Sequence, residues 1–321
     1  MHAQFISLYR HTCSLVVLAS LLALVACEQP STPEPSGKVF KVGYADFIKR
    51  DQEFERDDVL EGILAANKAD PYLDNGDRLE IIYQSTTPPL DQAFEQLQLY
   101  AGNGGVSALL LGAGSGVALE LKAMIEALEL PALAITATHP DVVTDTSYIS
   151  QLGFDDQRQA RAAALFVRDE LLIKRVAVIF DGSSPHSSYL AQEFRTKFEM
   201  TGGVVTGFYL HSDVDARILK ELRQDDTRFV YMPLSAEGTL DLFAQMDSIG
   251  WTPGVMAADG LLASILREFP NRWIELQGMY VTDLYTTSEE SVHEAEYVEE
   301  VASAYDVLYG DPVSTLTVLG V

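Results

Sequence analysis

From Lys38 onward, short runs of apolar and β-branched residues alternate with stretches that carry apolar side chains at helical spacing. A chain written this way builds βαβ units, whose strands pair in parallel while the helices cover the sheet. The first series predicts strands over 39–44, 79–84, 106–111 and 131–135, with helices over 55–68, 88–102 and 116–129. In the second helix Leu90, Ala93, Phe94 and Leu97 fall at i, i+3, i+4 and i+7, as a core-facing stripe requires. Turn formers fill His139 to Thr146, and the alternation then restarts with strands at 147–152, 175–180, 203–209, 228–232, 254–258 and 278–284. Helices are expected between them at 155–173, 187–201, 214–224 and 236–249. A last helix, 291–309, places Val298, Val301, Ala302, Tyr305 and Tyr309 on one face before Gly310-Asp311-Pro312 stops it. The expectation is an α/β protein of two Rossmann-like lobes with parallel sheets, which suits 321 residues at ~150 per domain.

The first residues differ. Arg10 is the one basic side chain before an uncharged apolar run, Leu15 to Ala26, too short for the ~20 residues of a membrane span. This predicts a cleaved export signal over 1–26. Its end, Leu24-Val25-Ala26-Cys27, resembles the lipobox of bacterial lipoproteins, which implies a lipid on Cys27. Cys13 leaves with the signal, so the mature chain forms no internal disulfide. Residues 28–37, rich in Pro, Ser and Gly, predict an extended tether. Loss of Arg10 leaves 21 basic against 47 acidic side chains, a net charge of −26. That charge excludes nucleic acid as a natural partner and repels anionic lipid, so membrane attachment depends on the acyl chains alone.

Several strand-to-helix junctions carry a resemblance. Lys41-Val42-Gly43 opens the first strand, Ala108 to Ser115 forms a strand with a Gly and Ser turn, and Pro131 to Thr138 forms a strand with a Thr-rich loop. Arg175 to Asp181 is a strand ending in Asp, and Gly278 to Thr282 a return strand. In order and spacing these segments resemble the periplasmic-binding-protein type 1 group, typified by leucine/isoleucine/valine-binding proteins of ABC importers, over nearly all of 38–321. The resemblance implies two hinged lobes, 38–143 plus 285–321 and 144–284, closing on a ligand. It also implies a further helix and hinge crossing beyond Val321.

Ligands of open α/β sheets sit beyond the carboxyl ends of the strands, which directs attention to three loops. Ser115, in Gly112 to Gly116, offers a hydroxyl at a helix start where free N–H groups favour a carboxylate, or else caps its own helix. Thr136, Ala137 and Thr138 lie where the resemblance implies contacts to an amino-acid carboxylate and ammonium; the alternative is an ordinary Thr-rich turn before Pro140. Asp259, ending Val255 to Ala258, lies where it implies an acid facing the ammonium; the alternative is a solvated Asp-Gly turn. Lesser candidates are Phe47, His186 and Ser235. The family often has an aromatic residue near His186, and Ser235 is as well placed to cap the next helix.

No enzyme signature accompanies these loops. Position 117 is Val where a dinucleotide fingerprint needs Gly, and position 113 is Ala where a nucleophile elbow needs Gly. The mature histidines, His139, His186, His211 and His293, are isolated in sequence, so no metal motif is seen. The sequence therefore predicts a non-enzymatic lipoprotein outside the cytoplasm, without cofactor, that binds a small amino acid, amide or related carboxylate for an ABC permease. A sensing or envelope-regulatory lipoprotein of the same fold is the alternative.

Overall fold

The computed structural model describes residues 37–47, 58–84, 88–102 and 105–283. The expected signal, Cys27, most of the tether and the 291–309 helix lie outside them. Two units separate: one of residues up to Val39 with Tyr72–Arg78, and one of Phe40–Pro71 with Leu79 onward. In the small unit Tyr72 bridges Arg78, and the Lys38 N–H donates to Asp77 Oδ1 at 2.6 Å. Gly76 takes φ +81° in the tight turn between them.

Two five-stranded sheets follow. The first contains β1 (Val39–Ala45), β2 (Arg78–Ile82), β3 (Ala108–Leu111), β4 (Ala132–Ala134) and β5 (Ile149–Gln151), in the order β2-β1-β3-β4-β5. Its helices are α1 (Asp58–Ala69), α2 (Ala93–Ala101) and α3 (Ser115–Ala127). The second contains β6 (Arg175–Phe180), β7 (Val204–Leu210), β8 (Phe229–Tyr231), β9 (Gly254–Ala257) and β10 (Tyr280–Val281), in the order β10-β9-β8-β6-β7, all parallel. Its helices are α4 (Asp156–Leu165), α5 (Pro185–Met200), α6 (Ala216–Gln224), α7 (Ala236–Ser248) and α8 (Leu261–Glu268).

The strands read as continuous apolar runs because each sheet is covered on both faces. In the second sheet Val176, Val178, Phe229, Tyr231 and Met256 pack against Leu190, Phe194 and Phe198 of α5. Ala177, Ile179, Val230 and Val255 point the other way, onto Ile218, Leu219 and Leu222 of α6 and Leu242 and Met246 of α7. In the first sheet Leu109 and Leu111 face α2 and α3, while Tyr44 packs with Val59 and Ile63 of α1.

Three expectations need correction. The strand at 147–152 does not open the second sheet: β5 extends the first, with Ala132 opposite Ile149. The stripe of α2 is turned: Phe94 is 48% exposed, and Ala93, Gln96, Leu97 and Tyr100 are buried. Gln96 enters the core because its amide donates to the Tyr100 hydroxyl at 3.0 Å, which hid the true stripe from a hydrophobic count. Helix α8 was not expected, yet a parallel β9–β10 connection needs such a crossover.

Phe194 stacks on Tyr231 at 4.1 Å between centroids and is fully buried. Phe194→Ala should therefore cost about 3–5 kcal/mol in urea unfolding, whereas Phe94→Ala should change stability by less than about 0.5 kcal/mol. Equal effects would contradict the packing described.

Candidate functional site

Five chain segments bring polar side chains together. The loop after β3 leads into α3, and Ser115 at that helix start is buried. It does not cap α3; its Oγ accepts from the Thr138 and His139 N–H groups at 3.1 and 3.2 Å, bracing the loop after β4. Thr136 Oγ1 donates to the Gly112 carbonyl at 2.6 Å, and the Ala137 carbonyl accepts from Gln151 Nε2. Gly112 is required here, because a Cβ would lie 1.9 Å from the Tyr44 hydroxyl oxygen.

Asp155 and Asp156 divide two tasks at the start of α4. Asp155 caps the helix by accepting from the Arg158 N–H at 2.8 Å. Asp156, the next residue, turns inward and is fully buried, and its N–H donates to the Thr138 carbonyl at 2.9 Å. At the start of α5, Ser184 is the cap and Pro185 the first residue, which sets His186 in the first turn. Asp259 follows β9, held by Gly260 at φ +76°.

His186 joins these segments. Its Nδ1 lies 3.1 Å from both oxygens of Asp156, in hydrogen-bond geometry to Oδ2, and 3.2 Å from Thr138 Oγ1. Its Nε2 lies 3.4 Å from Asp259 Oδ1, which also accepts from Gln159 Nε2 at 2.7 Å. A chain of polar contacts thus runs from Ser115 through Thr138 and His186 to Asp259. Three buried atoms beside it, Asp156 Oδ1, Gln159 Oε1 and the Tyr231 hydroxyl, have no hydrogen-bond partner in the protein, a condition that burial makes costly.

Burial alone would depress the charge on His186, but Asp259 and the hydrogen-bonded Asp156 outweigh it and push the pKa up to about 9. Burial raises Asp259, against the pull of His186 and Gln159. Burial, with the two nearby carboxylates, holds the Tyr231 phenol well above its usual range. His139, stacked edge-on against Tyr189, is lowered by burial against the opposing pull of Asp156. Asp156, His186 and Asp259 also offer one donor atom each within 4.8 Å, a set that could meet a cation. As the ring lies, carboxylates engage both its nitrogens.

The fold thus brings together Ser115, Thr138, His186 and Asp259 of the residues expected at a site. Asp259 is paired with His186 rather than standing in a solvated turn. The Thr136 hydroxyl is spent on the Gly112 carbonyl, and the Ala137 carbonyl on Gln151 of β5. Phe47 is a correction: it is buried in the core beside Leu97 and Leu111, because the strand-end loop turns its ring inward. Ser235 is another, since it caps α7 by accepting from the Gly238 N–H at 3.2 Å. Asp156, Gln159 and Tyr231 were not expected; Asp156 reads in sequence as one half of an acidic helix start.

The imidazole of His186 is expected to be doubly protonated at pH 7.5 and to titrate near 9 in 15N NMR, with Asp259→Asn lowering that value. Because the folded pKa is raised, its stabilising contribution is complete below ~6.5 and is lost as pH climbs through about 9. Titration at or below the ordinary histidine value would contradict the ion pairs.

Residues 67–321 match the family described as periplasmic binding protein. No curated protein sequence matches the chain. Among solved structures the fold is similar to a leucine binding protein, LivK, of Thermotoga maritima, with TM-score 0.71 and 22% identity over 88% of this chain and 79% of that one. It is also similar to the branched-chain amino acid binding protein LivJ of Streptococcus pneumoniae in complex with isoleucine, with TM-score 0.72, 17% identity, and coverage of 88% and 80%. A solute binding protein of Rhodopseudomonas palustris in complex with 3,4-dihydroxybenzoic acid gives TM-score 0.69, 16% identity, and coverage of 88% and 77%. With its two parallel-sheet lobes and the family match over most of its length, the chain belongs to the periplasmic binding protein family.

Proposed function

We propose that this protein is an extracytoplasmic, lipid-anchored solute-binding protein that captures a small amino acid, amide or related carboxylate and delivers it to an ABC permease, catalysing nothing. One observation carries the reading. Strand-end loops of both sheets converge where Thr138 of one meets His186 of the other, beside three buried polar atoms that lack a hydrogen-bond partner. Gln159 Oε1 is an acceptor that wants a donor, while Asp156 Oδ1 pairs with the His186 ring at 3.1 Å without a hydrogen bond. A ligand ammonium or amide supplies such a donor, and Asp259, with Gln159, borders the same spot. The solutes named for the structural neighbours, leucine, isoleucine and an aromatic acid, agree in size and in bearing a carboxylate.

Anchoring rests on the Leu24 to Cys27 tetrad; among the described residues no helix is long and apolar enough to cross a membrane. Cys27→Ala should therefore shift the protein from the membrane to the soluble fraction of expressing bacteria, and unchanged membrane association would refute the anchor.

Binding is tested by a thermal-shift screen against the amino acids, their amides and small carboxylates. A binding solute raises the melting temperature by mass action, by about 2.7 kcal/mol of added stability at a hundred times Kd. Asp259→Asn should lose most of that ligand-induced shift. A hit whose shift survives Asp259→Asn intact would remove that residue from the site; no hit would count against the proposed function.

A further inference from the structure

We infer that Asp156, His186 and Asp259 form a binding site for one divalent first-row transition metal ion of the zinc type. The inference goes beyond the solute-binding reading and does not rest on it: a bound metal and a solute ammonium are alternative occupants of the ground beside Asp259.

The charges call for a cation. The side chains of Asp156 and Asp259 are 0% and 9% exposed. Among the described residues no Lys or Arg forms an ion pair with either; Arg158 and Arg161 pair with Asp155 and Glu193 instead. Each nitrogen of His186 faces a carboxylate, so the ring carries both protons, and two carboxylates with one imidazolium leave the cluster at −1. Net charge in such a place is costly. A divalent ion that displaces one ring proton brings the sum to 2 − 2 = 0.

A second observation is independent of charge. Gln159 is 2% exposed, and its carboxamide reaches the cluster, Nε2 donating to Asp259 Oδ1 at 2.7 Å, while its Oε1 has no hydrogen-bond partner. The Tyr231 hydroxyl, fully buried and close enough for both carboxylates to act on its phenol, has none either. Both oxygens carry lone pairs of the kind that a metal ion, or water bound to it, engages.

The spacing suits a small ion. One donor atom from each of the three residues lies within 4.8 Å of the others. Bonds of ~2.0–2.1 Å to a tetrahedral ion set its ligand atoms ~3.3 Å apart. The contacts of the ring with Asp156 and Asp259, 3.1 and 3.4 Å, are already near that separation. They run through different ring nitrogens, so gathering one ion requires the ring to turn, and its side chain, 26% exposed, is the open member of the three. An imidazole nitrogen among carboxylates suits zinc-type ions, whereas calcium and magnesium favour larger sets of oxygen alone.

The test is isothermal titration calorimetry of zinc chloride into the whole mature protein stripped with EDTA, with magnesium and calcium chloride for comparison. Wild type should take one zinc ion per chain and bind magnesium and calcium at least about a hundredfold more weakly. His186→Ala and Asp156→Asn should each weaken zinc at least about a hundredfold, more than loss of an outer partner costs. His211→Ala, which removes a separate histidine–aspartate contact of 3.1 Å with Asp241, should leave zinc affinity unchanged. X-ray absorption on zinc-loaded wild type does not depend on how the variants fold, and it should show a single imidazole among oxygen ligands. Zinc binding that survives His186→Ala, a zinc shell without an imidazole, or no zinc binding at all overturns the inference. Each of these leaves the solute-binding reading standing, because that reading is tested by solutes with EDTA present.

Discussion

A cation enclosed by two acids is the constraint around which this site is built. Removing charge from water is expensive, and a buried carboxylate such as Asp156 persists only when a partner and hydrogen bonds compensate it. His186 supplies that compensation, and it can do so only if α4, α5 and the end of β9 hold their carboxylates and ring in register. The strands deliver them there because parallel order puts every carboxyl end on one edge of its sheet. Ser184 and Pro185 fix the start of α5, and Gly260 permits the turn that leaves Asp259 beside the ring.

Most of the architecture was readable as period and punctuation. Arg175–Phe180 was expected over those residues, and α1, α3, α5 and α7 lie within a few residues of their expected spans. The errors have physical causes. Three-residue β5 looks like the start of a new series because turn formers precede it, but backbone hydrogen bonds to β4 decide its membership, and such pairing leaves no mark on sequence. In α2 a buried glutamine broke the hydrophobic count, and Phe94 filled the vacant place in the pattern although it faces outward. Helix α8 is short, only Leu261–Glu268, directly after the Asp259-Gly260 turn.

The site was legible only in part, and the division follows the range of its interactions. Ser115, Thr138 and Asp259 stand at strand ends, where a local pattern identifies a loop near the ligand face. Their roles do not follow from that pattern: Ser115 braces a backbone loop, and Thr136 is tied to Gly112. Asp156 was invisible because a pair of acids at a helix start has an ordinary explanation, which Asp155 alone fulfils. The histidines looked isolated, yet His186 lies 30 residues from Asp156 in sequence and 3.1 Å away in space. Clusters assembled from three separate loops have no signature in spacing.

Thr138 and His186 meet at 3.2 Å from opposite sheets, beside buried polar atoms that have no hydrogen-bond partner in the protein. If both hold the same group of one ligand, their contributions to affinity must be coupled. A double-mutant cycle with Thr138→Val and His186→Gln, read as calorimetric affinity for the best-binding carboxylate, tests this directly. The account predicts that the double variant loses less than the sum of the two single losses, with a coupling of about 1 kcal/mol or more. Losses that add to within about 0.5 kcal/mol would show that the two residues act on different things, and would contradict a site shared by both sheets.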